Sequence, residues 1–490
     1  MHPLDLAVIV AYFIATVGVG LWFTRHQKTA GDYFLGSRDL PTWTVLLSIV
    51  ATETSALTVI SVPGIGARGD LTFLQLPFGY LLGRILVARW LLPGYFTGQQ
   101  ETAYTRLEAR FGIGTRRLIS AAFLVTRFLG DGVRIYAGAI PLALITGWSI
   151  PTAIVAMGGV TVLYTYFGGL KAVVWADVVQ LIIYLAGGVA ALIIAWDMAG
   201  GPGAALHQAL AAGKLRTFDF TLNLTSTYTF LGGLVGGAML SAASHGTDHL
   251  IVQRLLATRS LGDARRALIG SGIVVIFQFL LFHLAGSAIW AAGRAPANLA
   301  ADQIFPRFVT EALPVGIAGL VIAGILAAAM STISSSINAL ASAVTHDFYA
   351  TATGRTDPAH LMKVGRAVSL AWGLSLIGGA LGFYGYASGS DTPVVVLALS
   401  IASVTYGALL GTYLLAGIAG VRGGNVVVAA TTTMAVMLVV IFARTLSEHG
   451  LPWLAPAGRL AWPWYVPLGT VLCVLIGWLG SRIISREAAP

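Results

Sequence analysis

The sequence has little charge and almost no cysteine, and both shortages exclude large classes of protein. Only 10% of the 490 residues are charged, whereas soluble domains carry about 25%. The one cysteine, Cys473, lies in an apolar stretch, so a disulfide framework and a cysteine metal site are excluded. HExxH motifs, paired carboxylates and Cys/His clusters are also absent from the sequence, which argues against an enzyme working at a lipid surface.

Hydrophobic residues are what the sequence has in excess. They make up 57% of the chain, with a mean hydropathy of +0.82. Apolar stretches of about 18 or more residues recur from end to end, which predicts an all-α polytopic membrane protein with one transporter domain over residues 1–490. About thirteen membrane spans are predicted, near residues 4–24, 41–66, 71–93, 117–146, 150–169, 172–197, 228–256, 266–292, 312–347, 363–385, 392–420, 424–444 and 464–484.

The net charge of +9 marks topology rather than a nucleic-acid partner. One set of alternate loops and span ends holds 18 cations and the other holds 7. The larger set is Arg25, Lys28, Arg38, Arg106, Arg110, Arg116, Arg117, Lys171, Arg254, Arg259, Arg265, Arg266, Arg355, Lys363, Arg366, Arg422, Arg482 and Arg486. The smaller is Arg68, Lys214, Arg216, Arg294, Arg307, Arg444 and Arg459. By the positive-inside rule we expect a multi-pass protein of the plasma (inner) membrane, with its amino terminus outside and its carboxyl terminus in the cytoplasm.

Two predicted spans are interrupted by polar or glycine residues at matching places in the chain. The second span has a polar run at its centre, and the seventh contains Gly232, Gly233, Gly236, Gly237 and Gly246. Broken helices in corresponding positions indicate a transporter with inverted repeats. Residues 4–24 would be a first helix, 41–197 and 228–420 the two five-helix repeats, and 424–484 two further helices. The alternative, close packing of small residues, also enriches glycine and serine.

A run of hydroxyls in the ninth span predicts a cation site. Ser331, Ser334, Ser335 and Asn338 share one helix face by their spacing. A helix break in the second span would free backbone carbonyls between Ala51 and Ser55, and carbonyls with hydroxyls suit a monovalent cation. The alternative is that these hydroxyls bond back to their own helix.

One acidic residue, Asp177, lies inside the sixth span. A lone carboxylate in the membrane is costly and normally has a partner. A bound cation is one candidate, and an arginine that pairs with it for structural reasons is the other.

Five motifs carry a resemblance to a known family. They read TAGDYFLGSRDLPTW, SIVATETSALTVISVPG, FGGLKAVVWADVVQ, GTDHLIVQRLLAT and AAAMSTISSSINALAS. In this order they resemble the sodium:solute symporter family, which includes bacterial sialic-acid, proline and galactose carriers. The resemblance implies a LeuT-like fold, with two inverted five-helix repeats and flanking helices.

The resemblance also implies sodium ligands. The family's common sodium site corresponds to backbone and hydroxyl oxygens of Ala51, Thr54, Ala328, Ser331 and Thr332. A second site, found in some sialic-acid carriers, corresponds to Asp177, Ser331, Ser334 and Ser335. We therefore expect sodium at the common site, and a second sodium ion at the other.

The sequence gives fewer indications of the solute site than of the sodium sites. By the same register we expect it to include Glu53, Ser55, Thr58, Phe73, Arg134, His245 and Asp248. Glu53 stands where the sialic-acid carriers have a hydroxyl residue. Glu53 and Arg134 would either grip a zwitterion or polyol together or pair with each other as structural support. Arg84, Arg89, Arg254 and His283 are expected to be packing or interface residues.

The sequence therefore predicts a sodium-coupled secondary symporter that imports a small polar organic solute by alternating access. Sugars, sialic-acid-like organic acids and amino acids are the expected solute classes. Its partners would be sodium, the solute and the lipid bilayer, and no nucleic acid is expected. The sequence does not indicate the oligomeric state. Proton coupling through Asp177 or Glu53 is the nearest alternative. A membrane-embedded enzyme, a channel and a sensor are less favoured.

Overall fold

The fold is described from a computed structural model, over residues 2–24, 28–98, 100–387 and 394–487. In these residues the secondary structure is helical apart from one bridge between Leu40 and Thr258. The α-helices, numbered in chain order, are α1 Pro3–Thr24, α2 Ala30–Leu35, α3 Thr42–Glu53, α4 Ala56–Arg68, α5 Gln75–Leu86, α6 Thr105–Phe111, α7 Ile113–Thr146, α8 Ile150–Met198, α9 Pro202–Ala211, α10 Gly237–Gly246, α11 His249–Leu256, α12 Leu261–Ala291, α13 Ala301–Ala312, α14 Ile317–Ala343, α15 Thr351–Thr353, α16 Pro358–Ala387, α17 Val394–Leu415, α18 Gly423–Ile441, α19 Ala443–Glu448 and α20 Tyr465–Glu487.

Helices occupy every predicted span within the described part of the chain. In the described residues, six helices are long and apolar enough to cross a membrane, and α3 with α4 forms a seventh, bent candidate. The fifth and sixth predicted spans join into α8, which has 49 residues and a break at Gly169 (φ 54°, ψ −162°). A straight helix of that length would be about 74 Å long, far more than a bilayer of about 30 Å. The chain therefore turns at Gly169, where the positive φ requires glycine.

Two helix pairs are interrupted where the sequence predicts breaks. Helices α3 and α4 meet at an angle of 68°, because Thr54 and Ser55 have extended backbones. Helices α10 and α11 are separated at Thr247 and Asp248. Both breaks leave helix ends whose backbone groups lack partners within the helix.

Helix α14 is the centre of the fold. Its most apolar window is 89% buried, and it packs mainly on α8, α7 and α1. The amino-terminal end of α14 is held by the first helix, because the Asp5 carboxylate accepts hydrogen bonds from the N–H groups of Gly316 (2.7 Å) and Gly319 (2.9 Å). A negative charge at a helix amino terminus is favourable, so α1 is attached to the core.

Close helix contacts depend on glycines at a few positions. A Cβ at Gly286 in α12 would collide with the backbone oxygen of Pro63 in α4, and one at Gly64 would collide with that of Ala301 in α13. Helix α4, the second half of the bent pair, is therefore packed against α12 and α13 at backbone distance.

Candidate functional site

The end of α3 presents backbone oxygens beside α14. The last helical hydrogen bond at this end runs from the Thr54 N–H to the Val50 carbonyl at 3.0 Å. The carbonyls that follow Val50, including that of Ala51, belong to the unpaired end of the helix. Ala51 and Thr54 are buried here, as are Ala328, Ser331 and Thr332 on α14. Buried carbonyls and hydroxyls without a counter-charge of their own suit a small monovalent cation.

The hydroxyls of α14 connect to several other elements. Thr332 and Ser334 bond back to carbonyls of their own helix, at 3.3 and 3.1 Å. Ser335 contacts Thr52 of α3 at 3.2 Å, and Ser336 donates to Asp131 of α7 at 2.5 Å. Back-bonding therefore accounts for only part of the cluster, and the rest joins α14 to α3 and α7.

Asp177 lies at the centre of a buried polar cluster. Its Oδ1 accepts from Ser331 at 2.5 Å. Its Oδ2 accepts from Ser48 at 2.5 Å and from Arg254 at 3.1 Å. Arg254 and Asp177 are both fully buried. The sequence left two candidate partners for Asp177, a bound cation and an arginine. In the structure its charged partner is Arg254.

Arg254 corrects an expectation, because it forms a buried ion pair and several hydrogen bonds instead of only packing. Its Nε donates to Ser48 at 2.8 Å, and its Nη2 also donates to Ser335. One guanidinium thus ties α11 to α3, α8 and α14. The side chain reaches from the end of one broken span to the other, where its positive charge faces the Asp177 carboxylate.

A cavity of about 310 Å³ lies beside the break between α3 and α4. Six of the seven predicted solute residues line it, namely Glu53, Ser55, Thr58, Phe73, Arg134 and His245. Aromatic side chains from other elements also contribute to its wall, namely Tyr80, Tyr228, Phe279, Tyr406, Trp462 and Tyr465. A cavity of mixed apolar and polar lining at a helix break is suited to a small polar organic molecule.

Asp248, the seventh predicted solute residue, does not line the cavity. Its Oδ1 accepts from the N–H of Leu250 at 2.9 Å, which caps α11. Its Oδ2 accepts from Arg127 at 2.5 Å and from Tyr406 at 2.9 Å. Both oxygens are therefore engaged behind the cavity wall, and Asp248 supports Arg127 and Tyr406 rather than facing a solute.

Glu53 pairs with Arg84 and not with Arg134, which contradicts one of the two alternatives for these residues, a structural pair with each other. Glu53 Oε2 accepts from Arg84 Nη2 and lies 3.7 Å from His245 Nε2. Arg84 is fully buried and also donates to Ser271 at 2.7 Å. The expectation that Arg84 only packs is therefore wrong, because a buried guanidinium with a carboxylate partner is a structural ion pair.

Arg134 pairs with a residue that the sequence analysis missed. Its Nη1 donates to Asp131 at 3.0 Å, and Arg127 Nη1 lies 3.7 Å from the same carboxylate oxygen. The three residues recur at spacings of four and three on α7, so one helix face brings them together. This spacing is visible in the sequence, and it could have identified Asp131 as the partner of Arg134.

Comparisons with known proteins agree with this geometry. The sequence model of the sodium:solute symporter family matches residues 33–418. The chain is 31% identical to the sodium/iodide cotransporter of Homo sapiens, covering 84% of this chain and 65% of that protein. It is 30% identical to the sodium/sialic acid symporter SiaT of Proteus mirabilis, covering 76% of each chain. A solved Na+-coupled sialic acid symporter, substrate-bound and outward-open with a novel Na+ site, matches 98% of both chains with 26% identity and a TM-score of 0.86. The predicted LeuT-like fold is thereby confirmed.

Proposed function

Since the chain belongs to the sodium:solute symporter family and is a sodium-coupled solute symporter, we propose where it binds its ion and its solute. Sodium binds at Ala51, Thr54, Ala328, Ser331 and Thr332, and a small polar organic solute binds in the cavity. The solute is imported by alternating access. One observation supports this proposal: of the residues at the helix break, Ala51 and Thr54 are buried outside the cavity lining, whereas Thr52, Glu53 and Ser55 line the cavity.

The shared break gives a physical reason for coupling. The carbonyls of residues 51–54 lie beyond the last hydrogen bond of α3, so an ion that binds them restricts the segment. The same restriction holds Glu53 and Ser55 in the cavity wall. Sodium binding thereby lowers the conformational cost of solute binding, and by linkage the solute raises sodium affinity equally.

A second sodium ion is proposed at Asp177 with Ser331, Ser334 and Ser335. The two carboxylate oxygens have different surroundings. Oδ2 bonds with Arg254 and Ser48, whereas the hydrogen bond of Oδ1 comes from Ser331. An ion would therefore bind at Oδ1 and displace only a hydroxyl hydrogen bond. The nearby guanidinium weakens this site relative to the common one by charge repulsion.

Proton coupling is the alternative that the pairing argues against. Glu53 contacts Arg84, and Asp177 contacts Arg254. A guanidinium remains charged at any working pH and stabilises the ionised carboxylate beside it. Proton uptake by either carboxylate would leave a buried guanidinium without its counter-charge, which favours sodium as the coupling ion.

The topology and domain boundaries are part of the proposal. The repeats would be residues 41–197 and 228–420, after a first helix at 4–24 and before two helices at 424–484. The amino terminus would lie outside the plasma (inner) membrane and the carboxyl terminus in the cytoplasm. The distribution of loop cations supports this orientation.

Uptake into proteoliposomes tests the coupling. A radiolabelled solute found by a binding screen should accumulate under an inward sodium gradient, and Ser331→Ala and Thr332→Ala should each raise the sodium concentration needed for half-maximal uptake. Ser375→Ala is the matched control, because Ser375 is exposed on α16 and bonds to its own helix at 2.8 Å. Equal uptake in sodium-free buffer without a proton gradient would contradict the proposal, and uptake driven by a proton gradient alone would favour the alternative.

A further inference from the structure

We propose that Glu53, held by the buried Arg84, selects the solute class. The solute carries a carboxylate together with an ammonium group or several hydroxyls, and anions that lack hydrogen-bond donors are rejected. This inference rests on the proposed function, because it assigns a chemistry to the cavity in which the solute is placed. It separates this chain from its relatives that are named for iodide or for monocarboxylates.

In the ion pair of Glu53 and Arg84, only the carboxylate is exposed to the cavity. Glu53 lines the cavity with 20% of its side chain exposed, while Arg84 is fully buried and outside the lining. Arg84 and His245 both lie on the Oε2 side, and within the described residues no hydrogen bond reaches Oε1. One carboxylate oxygen therefore remains to accept hydrogen bonds from a solute.

A second ion pair is arranged in the opposite sense. Arg134 lines the cavity with 27% of its side chain exposed, while its partner Asp131 is 1% exposed and outside the lining. The same cavity therefore presents the carboxylate of Glu53 and the guanidinium of Arg134, beside the more deeply buried Arg127. The complementary solute has a carboxylate for Arg134 and donors for Glu53.

Two buried hydroxyls support a donor-rich solute. Ser61 and Ser241 line the cavity, and in the described residues their Oγ atoms have no hydrogen-bond partner. Buried polar atoms without partners cost free energy, and the hydroxyl or ammonium groups of a solute would satisfy them. A donor-free anion would instead remove water from Glu53 and these serines without replacing its hydrogen bonds.

Four probes test this solute class on purified protein. Hexanoate, 6-aminohexanoate and gluconate share a six-carbon chain and a carboxylate but differ in donors, and iodide is the inorganic anion. Thermal shifts are titrated in sodium and in potassium. In sodium, 6-aminohexanoate or gluconate should bind at least about tenfold tighter than hexanoate and iodide, the size expected for charge-assisted hydrogen bonds.

Two variants separate selectivity from folding. Glu53→Gln exposes the cavity to the charge of Arg84, so binding of the donor-bearing probes should fall at least about tenfold and that of hexanoate and iodide should rise. This variant loses stability if the buried guanidinium is left unmatched. Glu53→Gln with Arg84→Gln removes both charges, and this double variant should fold, lose the donor preference and gain no anion binding.

Separate results would overturn the inference and the proposed function. The inference fails if hexanoate or iodide binds wild-type protein as tightly as the donor-bearing probes, or if no probe shifts the melting temperature while sodium does. It also fails if the folded double variant keeps the donor preference, which would make Glu53 and Arg84 a structural pair only. The proposed function fails if sodium stabilises the protein no more than potassium does.

Discussion

At the scale of single residues, buried ion pairs border both candidate sites, and each carboxylate has two oxygens with different partners. Asp177 illustrates the consequence, because one oxygen bonds with Arg254 and the other with Ser331. Asp177→Asn should destabilise the protein by about 3–5 kcal/mol, since it leaves a buried guanidinium unmatched. Adding Arg254→Gln should recover part of that loss, as measured by thermal or denaturant unfolding of the purified variants.

Sodium activation of the same variants decides whether Asp177 binds an ion. If it does, the Hill coefficient for sodium should fall in Asp177→Asn and should remain low in the stabilised double variant. A wild-type Hill coefficient in the double variant would assign Asp177 to structural pairing with Arg254.

Asp248 is expected to affect stability through three bonds that differ in strength. Asp248→Asn weakens the contacts with Arg127 and Tyr406 and should cost about 3–5 kcal/mol because Arg127 is buried. Tyr406→Phe removes one hydrogen bond and should cost about 1 kcal/mol. The free energies of unfolding of both variants check this order, and equal losses would contradict the central role of the Arg127 contact.

The residue scale also shows what the sequence could predict. The hydroxyl run and the acidic residues were visible, because ionisable and polar groups are conspicuous in apolar spans. Their partners were not. Arg84 is 31 residues from Glu53, and Arg254 is 77 residues from Asp177. Such pairs depend on how distant helices pack, and helical periodicity carries no information about that.

At the scale of helices, the position of α4 controls the cavity, because Ser61, Val62 and Ile65 lie in its lining. Gly286→Ala would place a methyl group against the Pro63 backbone and push α4 away from α12. We expect a loss of about 1–3 kcal/mol from overpacking, together with weaker solute binding.

Gly159→Ala is the matched control for this helix contact. Gly159 lies in α8 and is exposed, and a methyl group added there would meet no atom within 4 Å. Alanine at this position should leave solute binding unchanged and should not reduce stability, because alanine favours helix over glycine. Melting temperature and solute affinity are measured for both variants, and equal behaviour would contradict the packing argument.

At the scale of helices, the sequence predicts where the chain interrupts its spans. Both breaks were predicted, because polar and glycine residues interrupt otherwise apolar spans. The boundary between the fifth and sixth predicted spans also agrees with the structure, because the chain turns at Gly169, the last residue of the fifth span. Gly168, Gly169 and Lys171 interrupt the apolar stretch at this place.

At the scale of the whole molecule, the proposed orientation can be tested with introduced cysteines. Cys473 is fully buried and should resist a membrane-impermeant thiol reagent. In a Cys473→Ser background, Ala204→Cys on α9 should label from outside intact cells. Gly262→Cys on α12 should label only after the membrane is opened, and both positions are exposed. The opposite sidedness would invert the topology.

The attachment of Asp5 to α14 has a consequence for how the chain is made. The carboxylate and the N–H of Gly316 are 311 residues apart. At about 5–20 residues per second, a ribosome needs roughly 15–60 s to make that interval. During biogenesis the first helix is therefore inserted before its Asp5 carboxylate can bond to α14, and this contact forms only after the ninth span is inserted. A nascent chain stalled before residue 316 should hold α1 loosely enough for insertion chaperones or membrane proteases to reach it, and one stalled after α14 should not.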